Sequence, residues 1–127
     1  VRGSISNPTN IGQRILLRAY NNPGYARQKN EKFQLLKRRY HRLREILAEN
    51  PQYAESFSAM PFNSGYFMCI KPVGVDPEMV RLRLLEAYDT GVIVLSGLIR
   101  LAFSSVPLGE LDRLFSNVDA AIRDLKK

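Results

Sequence analysis

At 127 residues, 45% hydrophobic and 24% charged, the chain has the length and composition of one globular domain, not of a disordered tail. Its net charge of +7 is lopsided: residues 1–50 hold eleven Lys and Arg against three acids, and residues 51–127 hold eight against nine. No run reaches the ~18 uncharged apolar residues of a membrane span, and the single cysteine, Cys69, excludes an internal disulfide.

These features predict a cytoplasmic protein with no membrane partner, and Cys69, inside an apolar run, reads as a buried, inert thiol. No signal peptide is recognisable, and an opening Val with no Met before it reads as a piece of something longer.

In chain order, Asn7-Pro8-Thr9 carries helix-start chemistry, with Thr9 as the cap. Ile11, Ile15, Leu16 and Ala19 then fall on one side of a short helix that Asn21-Asn22-Pro23-Gly24 stops. Tyr25 to about Asn50 is the longest element. Its apolar seam, Phe33, Leu36, Tyr40, Leu43 and Leu47, is narrow, and its flanks are basic from Arg27 to Arg44. That composition suits a helix bridging two bodies. The basic run reads first as a solvated face and, as the alternative, as a nucleic-acid-binding module over 27–44. Against the alternative, Tyr25, Phe33 and Tyr40 read as packing residues, so no nucleic acid is expected as a partner. The lone His41, set among basic residues, reads as a surface residue and no metal site is expected.

Asn50-Pro51 ends the long helix, and Gln52–Asn63 reads as a loop or short strand. Tyr66–Ile70 reads as a strand. Asp76-Pro77-Glu78 starts a helix, with a cap, a first-turn proline and an acid at the positive end of the dipole. That helix turns Val80, Leu84 and Tyr88 inward. Two strands follow, Gly91–Leu95 and Leu98–Ser104, joined by Ser96-Gly97. Pro107 opens a last helix with Leu108, Leu111, Phe115, Val118, Ile122 and Leu125 at steps of three and four. The expected fold is α+β: a small sheet of about three strands covered by helices and preceded by a long helix.

Arg100 interrupts the apolar series of the last strand. A guanidinium keeps its charge, and burying it unpaired is very costly. It must therefore reach water, meet a carboxylate of this chain, or be held for an anionic ligand. Its planar fork suits a carboxylate, gripped through two parallel hydrogen bonds.

Several segments resemble one family in the same order. They are Val1-Arg2-Gly3-Ser4-Ile5-Ser6-Asn7-Pro8 with Gly12-Gln13, the long helix, Asn63-Ser64-Gly65-Tyr66-Phe67-Met68, Gly91-Val92-Ile93-Val94, and Ile99-Arg100-Leu101-Ala102-Phe103-Ser104 before a closing amphipathic helix. Together they resemble the C-terminal part of class I/II pyridoxal-phosphate-dependent aminotransferases, of the aspartate aminotransferase fold. The resemblance implies three parts: residues 1–23 as a remnant of the large-domain segment, 24–50 as the interdomain helix, and 51–127 as the small domain. It implies that Arg100 clamps the substrate α-carboxylate. Phe67 matches an aromatic close to the substrate. Arg2 stands where aspartate-specific members carry an arginine that reaches the neighbouring subunit's substrate.

The family's cofactor lysine, pyridine-facing aspartate and phosphate cup lie upstream of these segments. The resemblance therefore implies no catalytic residue in this piece and pyridoxal phosphate only in a full-length parent. The parent would be a homodimer acting on amino acids and 2-oxo acids, and the fragment would be inactive alone. A regulatory domain that kept the fold without the chemistry stays open beside it.

Overall fold

The structure, a computed structural model, describes residues 10–63 and 65–127. The chain divides into two compact units, one ending at Gln34 and the other running Leu35–Lys127. The division falls inside the long helix rather than at one of its ends.

In the first unit, α1 spans Asn10–Tyr20 and buries none of its residues. The carboxamide oxygen of Asn22 accepts the Gly24 N–H at 2.7 Å in the turn that follows. The rings of Tyr20 and Tyr25 meet 4.8 Å apart. The Thr9 cap lies outside the described residues. The long helix, α2, spans Tyr25–Glu49.

The second unit is α+β, as expected. Its strands are β1 (Phe57–Ala59), β2 (Met68–Pro72), β3 (Ile93–Leu95) and β4 (Leu98–Leu101), with α3 (Pro77–Tyr88) and α4 (Leu111–Asp124). The sheet is antiparallel in the order β1-β2-β4-β3. It has four strands against the expected three or so, because within Gln52–Asn63, read as a loop or short strand, Phe57–Ala59 pairs with Ile70–Pro72.

Local chemistry builds these elements. Asp76 caps α3, its carboxylate accepting the Met79 N–H at 3.3 Å, and Asp89 ends the helix in the left-handed region at φ 46°. Between β3 and β4, Ser96 and Gly97 adopt φ of 50° and 75°. A two-residue hairpin turn with both central residues at positive φ matches the twist of its strands, and glycine adopts that conformation at least cost. A short 3₁₀ turn, Leu108–Glu110, precedes α4, so Leu108 stays exposed instead of joining the helix's buried stripe.

Alternation along the strands separates two faces. Met68, Ile70, Ile99 and Leu101 are buried on the inner face. Helix residues cover it: Leu43 and Ile46 from α2, Val80 and Leu84 from α3, and Phe115, Val118 and Ile122 from α4. Leu43 lies on the expected seam of α2. Ile46 is buried too, whereas Phe33 is exposed. Tyr88 packs on the core only in part, its hydroxyl donating to Asp124 at 2.9 Å.

Candidate functional site: the outer face of the sheet

The other face of the sheet carries Arg100. Cross-strand partners in an antiparallel ladder project to the same side. Arg100 pairs with Cys69 on β2 and with Ile93 on β3. Two residues along, Leu98 pairs with Leu95. The result is a guanidinium among a thiol and apolar side chains, flanked on β2 by the exposed Lys71. None of the four strands contains an acid.

Arg100 is half-buried and, among the described residues, makes no ion pair. Its Cζ lies 4.4 Å from the centroid of the Phe67 ring. Stacking a cation on an aromatic face is worth about 0.5–1 kcal/mol at an exposed site, more when desolvated. It holds the guanidinium plane without occupying its N–H donors. Of the three fates open to Arg100 in the sequence, a carboxylate of this chain is not the one taken among the described residues.

An open cleft of about 640 Å³ is lined by Phe67 and Cys69, the ring that carries the guanidinium and its cross-strand partner, while Arg100 itself is not in the lining. Met60, Pro61, Phe62, Phe67 and Leu98 give it apolar walls, with Asn63 as a polar lip and Cys69 in its lining. Cys69 is thus half-buried on the outer face, not sunk in the core as its apolar run suggests. Asn63 accepts the Gly65 N–H at 3.1 Å, which closes the turn leading to Phe67. Tyr40 of α2 meets the Phe62 ring edge-on at 5.6 Å and so braces the cleft from behind.

The structure brings together Arg100 and Phe67 of the expected site residues. Arg2 lies outside the described residues. The cleft lining holds no lysine, and among the described residues no three His, Cys, Asp or Glu side chains converge. These residues therefore do not fit a Schiff-base cofactor or a metal ion.

On the basic helix, Arg27 pairs with Glu31 at 2.8 Å. Arg42 pairs with Glu45, Glu49 and, at 2.5 Å, Asp112 of α4. That contact holds the Asp112 carboxyl below its ordinary range. His41 is exposed. Sequence reasoning missed Arg39, whose Nη1 donates to the carbonyl of Ser104 just past β4. Its position four residues before Leu43 on the buried side of α2 is the signal that could have found it.

Among the described residues no helix is long and apolar enough to cross a membrane. Compared with models of known protein families and with curated proteins, the chain matches none.

Proposed function

We propose that this chain is the carboxylate-clamping part of a pyridoxal-phosphate-dependent aminotransferase that moves an amino group between an amino acid and a 2-oxo acid. One observation carries the reading: Arg100, half-buried on an acid-free sheet face, rests on Phe67 with no carboxylate of the described chain on its N–H donors. A cation kept this way is organised for an anion that arrives from outside, and a planar carboxylate matches its fork. Held bidentately, the substrate's α-carboxylate would fix the direction of its Cα–H bond, a positioning contribution to catalysis.

The cofactor and its lysine belong, in this reading, to the upstream part of a cytoplasmic, homodimeric parent. The fragment alone neither binds pyridoxal phosphate specifically nor transaminates.

Two measurements test the reading. In the isolated chain, 2-oxo acids should shift the Arg100 side-chain and Phe67 ring NMR resonances, and Arg100→Gln should abolish the Phe67 response. In the longer protein, Arg100→Ala should raise KM for amino and oxo acids and lower kcat, a combined loss of about 2–4 kcal/mol for a broken charge-assisted pair. Unchanged kinetics there would make Arg100 a structural residue and end this reading.

A further inference from the structure

Arg39 is a cation in an uncommon setting. It is half-buried, its Nη1 donates to the Ser104 carbonyl, and its Nε is buried without a hydrogen-bond partner among the described residues. A buried N–H left unmade is costly, and an aliphatic side chain at this position would avoid that cost. What the guanidinium contributes in return is its hold on Ser104.

Ser104 leads directly to the clamp. Its own N–H donates to the Tyr66 carbonyl at 3.3 Å. The β2–β4 ladder closes at the pair Met68–Leu101, so the Ser104–Tyr66 bond is a further tie beyond its end. Phe67 lies between these two ties, with Met68 fixed on one side and Tyr66 on the other. Its ring is the one beneath Arg100. The neighbouring α2 residue, Tyr40, braces Phe62 on the cleft wall.

We infer that Arg39 is a positioning residue: through Ser104 and Tyr66 it holds Phe67 under Arg100, and so sets the pose in which the clamp meets its ligand. The structural relay stands on the hydrogen bonds alone, while its meaning for a carboxylate ligand rests on the function proposed above. α2 thereby holds the cleft at two places with adjacent side chains.

The test uses the 127-residue chain labelled at arginine. Arg100 protons above the Phe67 ring should be displaced upfield by its ring current, with Phe67→Leu supplying the undisplaced reference. Arg39→Met should lose that displacement while the Ile70 and Ile122 methyl resonances of the core stay in place, and Arg39→Lys, which keeps a donor, should restore it. An Arg39→Met chain that keeps the displacement overturns the inference. Should Arg39→Met fail to fold, Arg39→Gln takes its place with Ser104 amide exchange as the readout: exchange faster than in the unmodified chain supports the relay, and unchanged exchange overturns it. A 2-oxo acid titration adds the functional arm, in which Arg39→Met should weaken the Arg100 response as far as Phe67→Leu does. If no oxo acid moves Arg100 in any of these chains, the carboxylate reading fails, and the ring-current result still decides the relay.

Discussion

Cys69 stands directly across the β2–β4 ladder from Arg100, on the same face of the sheet. The chain's only thiol is therefore a native probe of the field at the clamp. A unit charge at about 6 Å in a water-like dielectric contributes about 0.7 kcal/mol, about a threefold rate effect. The ratio of alkylation rates with anionic iodoacetate and neutral iodoacetamide should fall about threefold in Arg100→Gln. Taking the ratio cancels any change in thiolate population, and an unaltered ratio would show that the guanidinium points away from the cleft.

Asp124 at the end of α4 accepts from Arg83 at 2.6 Å and from the Tyr88 hydroxyl at 2.9 Å. These contacts, Arg83 foremost, lower its pKa from 3.8 to about 2. A carboxyl whose folded pKa is depressed adds stability that is complete above its unfolded pKa and is lost as pH falls through the folded one. Between pH 3.8 and about 2, the melting temperature of the native chain should thus fall more steeply than that of Asp124→Asn. Parallel melting curves across that window would leave the Arg83–Asp124 pair without a role in acid stability.

Phe115 and Phe33 separate the two units energetically. Phe115 is fully buried, its ring 6.2 Å from that of Phe57. Phe115→Ala should cost about 3–5 kcal/mol through lost burial and a residual cavity, a large part of a typical domain's stability. Phe33 is 52% exposed, and Phe33→Ser should change stability by no more than about 0.5 kcal/mol. Urea unfolding of both variants measures the difference, and equal losses would contradict the division at Gln34.

α1 offers apolar surface that the described residues of its own unit leave open: Ile11 is 74% exposed, Ile15 64% and Leu17 62%. Burying one such side chain is worth about 1.5–3 kcal/mol, so several together should draw a second copy of the chain. Light scattering should show concentration-dependent association of the whole chain that disappears in a version starting near Gly24, or in Ile15→Glu. A monomeric whole chain at high concentration would refute it.

The elements legible in the sequence are those specified locally. The α4 stripe, the Asp76 cap and the Ser96-Gly97 hairpin each rest on residues within a few positions of one another, and each is present. β1 was ambiguous because three residues carry no period, and its strand character comes from pairing with β2. The buried side of α2 is wider than the seam its sequence spacing suggests. A stripe at a 3.5-residue period misses Ile46, which the body of the second unit buries along with Leu43. Arg100 posed its question in the sequence, but which side chains surround it depends on strand register. Arg39 sits among ten other basic residues of the first fifty; its spacing from Leu43 marks only the side of the helix it lies on, and the partner it takes there is 65 positions away.

The alternation along β4 ties the clamp and the core to a single reading frame. Ile99 and Leu101 face inward, and Arg100 between them faces outward. Inserting or deleting one residue in this strand would drive the guanidinium into the interior and turn its apolar neighbours to water. Descendants of this sequence can thus alter the ligand by replacing side chains on the outer face, while length changes are confined to the connections beyond β4. The lineage is free to drift in chemistry here and is barred from drifting in spacing.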